Sequence, residues 1–429
     1  MRKATAGKWF RVKGFRRWAV LAVLGLLVTA LAACSDSEPK GPTTVLRVTM
    51  TDDWVTAPYI DAVREFERLH PGVRVDTDKS SITKMPDIVR AGISSGAPPD
   101  VVQGHAHAGA GQGLAQEVDD LWQKHGLRAD EFLPGAVEDV SWAGRLYGVP
   151  LDSNAMVILY NIDHFRAAGL QPPNADTSFD DFEQMARKLT TPDGSRRGLV
   201  IPLSDWVTYG WIKANGGELL DVDRSGRPHF TFDDPKVVEA VSFLEHLIDA
   251  GLAFGPAGPD AASADAYALF RSGAASMHAS GSWDLTKIVK DVPNGHFGAA
   301  LMPRGLTGAT AGTVMGGSSL WIPMGSTHRD LAFEFMLLLT SDRYALRLAK
   351  EEGRLPVRPR VLADPYFQTP ELKVFVEQLG TAHPPILGAL QEATDAFDQA
   401  LAQILRDHNN PATALQAAQL QAVKSTGSS

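Results

Sequence analysis

Side chains able to do chemistry fall in a few places along this chain. Asp152-Ser153-Asn154 are three short polar residues in a row, followed by the apolar run Ala155 to Leu159. Short polar residues between apolar segments bond local backbone or face a cleft, so a strand with a polar bulge and a cleft lining both fit. His105-Ala106-His107 has a spacing used by zinc sites, but a metal needs three or four ligands, and no partner cluster of Cys, His or Glu stands out. Gly104, Gly109, Gly111 and Gly113 surround the pair and favour an exposed loop after a strand, where parallel sheets place ligand sites. Loop or cap histidines, ligand contacts and a metal pair all remain open there. Asp52, Asp53, Asp152 and Glu218 could supply the two carboxylates of glycoside hydrolysis, which must stand ~5 Å or ~6.5–9.5 Å apart, a separation that sequence does not show. Trp206, Tyr209 and Trp211 follow a strand expected over Leu199 to Leu203 and suit either a core or an apolar platform with a polar handle. Gly281 and Ser282 free the backbone before Trp283, so that its ring can project outward. No phosphate loop, nucleophile elbow or dinucleotide glycine pattern is present.

The elements that must position these residues alternate. Val45 to Met50 reads as a strand. Ala57 to His70 reads as an amphipathic helix with Ile60, Val63, Phe66 and Leu69 as its stripe and Pro71 as its stop. Val73 and Val75 open a second strand, Ile82 to Ser94 a second helix, and Gly96 to Val102 a turn with a short buried strand. This alternation predicts βαβ units and a mainly parallel sheet. Further on, Ser178 and Asp181 form a capping box before Phe182, Met185, Ala186 and Leu189. Asp234 and Pro235 start a helix with Val237, Val241, Leu244 and Ile248 on one face, stopped by Gly251. Ala266 to Gly273, Ala274 to His278 and Gly281 to Trp283 read as helix, strand and turn, and Phe297 to Met302 as a strand returning to the first lobe. Leu331 to Thr340, Ser341 to Lys350 and the C-terminal segment to Val423 read as helices.

Residues 1–33 carry seven basic residues and no acid, ahead of the apolar run Trp18 to Ala33, the pattern of an export signal. Arg16-Arg17 leaves the general and twin-arginine routes both open. Leu31-Ala32-Ala33-Cys34 resembles a lipobox, which implies a diacylglycerol on Cys34 and anchorage on the outer face of the cell membrane. Cys34 is the sole cysteine, so no intrachain disulfide forms. Residues 34–43 read as a linker. The 429-residue chain has a net charge of −9, and removing the signal leaves 396 residues and −16. That length predicts about two domains, and that acidity excludes a nucleic-acid partner.

The stretch Gly144 to Asn161 resembles the "G-x-x-Y-G-V-P … L-Y-Y-N" crossover of the extracellular solute-binding proteins of ABC sugar importers, of the maltose-binding type. Phe66 to Val75, Gly96 to Val102, Phe270 to Trp283, Gly316 to Ile322 and Gly353 to Arg358 resemble further motifs of that family, in its order. The resemblance covers nearly all of the mature chain. It implies an α/β, two-lobed periplasmic-binding-protein fold of type II with hinge crossovers near Asp152, Phe297 and Ile322. Lobe 1 would hold 44–151 and 298–325, and lobe 2 would hold 152–297 and 326–429. It also implies a monomeric substrate-binding subunit that captures a carbohydrate, an oligosaccharide, and passes it to permease subunits. The ligand contacts expected are Asp52, Trp54, His105, His107, Asp152, Ser153, Asn154, Trp206, Trp211, Gly281, Ser282, Trp283, Gly317, Ser318 and Arg358. No cofactor, metal or catalytic residue is expected. The alternatives are an exported glycan-acting enzyme and a binding protein for another polar solute such as a glycerophosphodiester.

Overall fold

The computed structural model describes residues 44–256, 263–307 and 312–427; the expected export segment, the expected linker and Cys34 lie outside them. Thr44–Thr51 pairs in parallel with Val73–Ser80 and with Val101–Gly104, as the βαβ reading requires. The return strand, Thr313–Trp321, lies antiparallel to both Val101–Gly104 and the crossover strand, Gly148–Ala155. Ala382–His383 closes the far edge of this first sheet. The helix Ala57–Leu69 forms where expected, but its buried stripe is Pro58, Tyr59, Ala62 and Phe66. Ile60 and Leu69 are exposed. The expected face was rotated because Tyr59 and Ala62 are weak hydrophobic markers in sequence, whereas a tyrosine with a hydroxyl partner is readily buried. Tyr59 finds that partner in Thr77, at 2.8 Å.

A second sheet runs in the order Ala253–Phe254, Arg197–Val200, Ala275–Ser280, Val157–Asn161, Phe297–Ala300. Phe297–Ala300 pairs with Val157–Asn161, so it stays in the second lobe and does not return to the first. The capping box forms in both directions between Ser178 and Asp181. Asp234 caps Pro235–Asp249, and Gly251 adopts the left-handed conformation just beyond it.

The helices Arg329–Leu339 and Asp342–Glu352 pack on Ala57–Leu69 of the first lobe. Their Phe333, Phe335, Met336, Tyr344 and Leu348 share a core with Leu46, Val48 and Trp321. This corrects the assignment of 326–429 to the second lobe. Leu387 and the helices Gln391–Leu405 and Pro411–Thr426 join the second core, the helices through Phe397, Leu401, Ile404 and Leu415. The chain therefore crosses between lobes near Ala155, between Ala300 and Thr313, and between His383 and Gln391. Two of these positions differ from the crossovers expected near Phe297 and Ile322. An apolar helix stripe shows that a face is buried, not which of two lobes buries it. Among the described residues no helix is long and apolar enough to cross a membrane.

Candidate functional site

A cleft of about 390 Å³ opens between the lobes. Its floor is Asp152, Ser153 and Asn154 of the crossover strand; one wall carries Asp53, Glu352 and Arg354, the other Ser282, Trp283, Lys287 and Lys290. The floor is fixed by close contact with the return strand. Gly317 sits at φ +116°, and a Cβ there would come 2.3 Å from the Asp152 carbonyl oxygen, so this position demands glycine. A Cβ on Gly316 would stand 2.5 Å from Asn154 Oδ1. That oxygen is buried and has no hydrogen-bond partner among the described residues. Ser153 is spent on structure: its N–H donates to the Leu355 carbonyl at 2.8 Å and its hydroxyl reaches the Pro356 carbonyl at 3.2 Å.

Asp152 is nearly buried and accepts a hydrogen bond from Ser318 Oγ at 2.7 Å, while Ser318 accepts one from Gln103 at 3.2 Å. Burial pushes the Asp152 carboxyl above its ordinary range, against the pull of Arg354 and Ser318. Arg354 is ion-paired with Asp53, lies 3.9 Å from Asp152, and covers the Trp54 ring at 4.6 Å. Asp53 is held below its usual value because the Thr51 hydroxyl and Arg354 overcome the opposing effect of burial.

The second wall begins at Gly281, which is a helix N-cap and not a free turn. The helix is Ser282–Asp291, and Trp283 stands in its first turn, 46 % exposed. Trp206 packs against Trp283 with ring centroids 5.3 Å apart. Trp206, Tyr209 and Trp211 occupy a helix, Asp205–Ala214, capped by Ser204. Five residues along a helix turn a side chain most of the way to the opposite face. Trp206 thus reaches the cleft side, while Trp211 is fully buried among Phe179, Phe182 and Phe243 and does not reach the cleft.

Other expected contacts also lie elsewhere. Trp54 is a core residue whose ring is capped by Arg354. Asp52 points away toward Lys79 at 3.9 Å, and its neighbour Asp53 takes the cleft position. Arg358 is buried over the Phe132 ring at 4.5 Å and 3.8 Å from Asp342. Burial, then Arg360, lowers its pKa. Gly281 and Gly317 act by close packing. Arg354, Glu352, Lys287 and Lys290 were not anticipated. Arg354 lay inside the quoted Gly353 to Arg358 motif, and the lysines stand four and seven residues after Trp283, a spacing that would have found them had the helix been recognised.

His105 and His107 meet a third group, Asp139. Its Oδ1 lies 2.6 Å from His105 Nδ1 and 3.2 Å from His107 Nδ1, and His107 Nδ1 is 3.1 Å from the Asp139 carbonyl. These are hydrogen-bond lengths, with both rings donating from Nδ1. His107 and Asp139 are buried, whereas His105 is one-third exposed. It borders a cavity of about 120 Å³ shared with Asp205, Tyr209 and Phe397 of the second lobe. Burial works to lower the His105 pKa, but the charge and hydrogen bond of Asp139, with the charge of Asp152, raise it. Asp139 is held well below the carboxylate range by the two histidines despite its burial.

Two lobes joined by three crossings, with a polar floor and an indole wall, define a solute-binding protein. The chain belongs to the bacterial extracellular solute-binding protein family, whose model matches residues 52–346. It is similar to the diacetylchitobiose binding protein DasA of Streptomyces coelicolor, with 25 % identity covering 79 % of this chain and 81 % of the relative. Its fold matches that of the sugar-binding protein MalE from Xanthomonas citri, with a TM-score of 0.76, 19 % identity, and 89 % and 97 % of the two chains covered. UgpB from Mycobacterium tuberculosis, solved with glycerophosphocholine, matches with a TM-score of 0.72, 20 % identity, and 88 % and 97 % covered.

Proposed function

We propose that this chain is the lipid-anchored substrate-binding subunit of an ABC importer, which captures an oligosaccharide between its lobes and delivers it to a membrane permease. The observation that carries this reading is the cleft itself. A half-exposed indole backed by a second tryptophan faces a floor of Asp152 and Asn154, so one apolar ring face stands opposite placed polar groups, which suits a sugar's C–H faces and hydroxyls. DasA, named for a disaccharide, supports the same class. The tether is Cys34, and the protein acts as a monomer. Closure needs only that the ligand bind the closed arrangement better than the open one. A second reading, a glycerophosphodiester, draws support from Lys287 and Lys290 in the cleft and from the ligand of UgpB.

A thermal-shift screen over a glycan library tests the proposal. At a hundred times its Kd, a ligand that binds only the folded state stabilises it by ~2.7 kcal/mol, which moves the melting temperature by several degrees. Chromatography of the same mixtures looks for turnover. Cleaved glycan would replace the binding reading with the enzymatic one, and a library without a single shift would remove the carbohydrate reading.

A further inference from the structure

We infer that the solute carries a fixed negative charge beside a C–H face, its carboxylate or phosphate-ester oxygens meeting Lys287 and Lys290 while the adjoining carbons lie on Trp283. This rests on the solute-binding reading above and narrows it. Trp283, Lys287 and Lys290 stand at i, i+4 and i+7 of Ser282–Asp291 and therefore share one helix face, and all three line the cleft. Among the described residues neither lysine makes an ion pair. The Lys287 ammonium instead rests 4.0 Å from the Tyr267 ring centroid, and Tyr267 donates its hydroxyl to Asp291 at 2.6 Å.

The carboxylates of the opposite wall and floor are mostly committed. Asp53 holds Arg354, and Asp152 is buried against Ser318. Glu352 alone among the cleft carboxylates has no partner among the described residues. Two unpaired ammonium groups thus face one unpaired carboxylate, in a chain whose net charge is −9. Closing the lobes over a neutral sugar would strip water from two ammonium groups with Glu352 as the single free countercharge among the described cleft residues, which is unfavourable for the group left unpaired. An anionic group on the solute supplies that countercharge and forms charge-assisted hydrogen bonds.

The test is calorimetric titration of the full folded chain with three probes: trigalacturonate for carboxylates, sn-glycero-3-phosphocholine for a phosphodiester, and maltotriose with diacetylchitobiose as neutral controls. Both lysines are exposed, so Lys290→Met and Lys287→Met/Lys290→Met should fold, which melting curves of the unliganded proteins verify. The wild type should bind one anionic probe, more weakly as salt rises. Lys290→Met should weaken that binding roughly tenfold and the double variant further, with a much smaller loss for any neutral probe. The probe that binds tells carboxylate from phosphodiester. Binding of neutral probes alone overturns the inference and leaves the carbohydrate reading standing. Equal loss of neutral and anionic binding in the double variant also overturns it, because the lysines would then be pairing with Glu352 to latch the lobes. If no probe of either kind binds, the solute reading fails and this inference falls with it.

Discussion

Replacing Gly281 by alanine would test the indole wall without touching the indole. The backbone at Gly281, φ −98° and ψ −177°, is open to any residue, so the substitution strains nothing there. An added Cβ would stand 2.0, 2.3 and 2.5 Å from three atoms of the Trp283 ring. The ring must therefore swing away, and at 46 % exposure it has solvent to swing into. Leaving Trp206 forfeits ~0.5–1.5 kcal/mol of aromatic pairing, and alanine is a poorer N-cap than glycine by roughly 0.5–1 kcal/mol. The unliganded protein should thus lose about 1–2.5 kcal/mol and a few degrees of melting temperature. A ligand ring stacked on the indole would lose ~50–100 Å² of apolar contact, or ~1.3–2.5 kcal/mol at 25 cal/mol per Å². That corresponds to roughly a tenfold to hundredfold loss of affinity. Calorimetric titration with the ligand found by screening, tryptophan fluorescence and thermal melting together read the result. A displaced ring seen in fluorescence with wild-type affinity would refute the stacking role. A loss of stability above ~5 kcal/mol would show the ring to be part of the core.

Asp152→Asn should weaken solute binding yet leave the unliganded protein as stable as the wild type or more so at neutral pH, because it removes a buried charge and keeps an oxygen for Ser318. Since burial raises the Asp152 pKa, protonation favours the fold, and the stability gap to the variant should close as pH falls through the raised value toward 3.8, as pH-dependent melting would show. Asp139→Asn should have its largest cost in acid-neutral solution. The raised pKa of His105 contributes stability that is fully present below 6.5 and lost as pH rises through the folded value, whereas the lowered pKa of Asp139 contributes stability present above 3.8 and lost below it. A variant whose destabilisation is the same at pH ~5.5 and ~9 would remove the ion pair from the account. Cys34→Ser should move mature protein from the membrane fraction to the soluble fraction; equal membrane retention in both would dismiss the anchor.

The sheets and most helices were legible because caps, glycine stops and buried strands are written locally. Ser178 with Asp181, Asp234 with Pro235, and Leu46, Val48 and Met50 behave as read. Sharing of elements between lobes was not legible. Phe333 and Phe397 each sit on the apolar stripe of a helix, and only the packing sends one to the first core and the other to the second. In the cleft, Asp152, Asn154, Ser282 and Trp283 line the gap. The misses have one cause each. Trp206 and Trp211 share a helix, which separates their faces in a way their spacing after a strand does not reveal, and a one-residue phase that puts Asp53 and not Asp52 in the cleft leaves no trace in sequence. Asp139, 34 positions beyond His105, could be joined to it only by the fold.

The three crossings do not span the gap separately. Met156 donates its N–H to the Val314 carbonyl, the Thr313 hydroxyl returns to the Met156 carbonyl, and the Thr313 N–H reaches the Thr381 carbonyl. Adjacent passes of the chain are laced into one narrow ribbon, mechanically unlike three loose cords. Cords would let the lobes slide, splay and spin. A hydrogen-bonded ribbon is stiff within its plane and compliant across it, so most of that freedom is gone before any solute arrives, and what survives is flexing about a single line. Spin labels on the two lobes should then report distances that vary together along one coordinate. The polar floor is paired to the return strand at the edge of that ribbon, so on closure the tryptophan wall should swing toward Asp152 and Asn154 while these keep their positions.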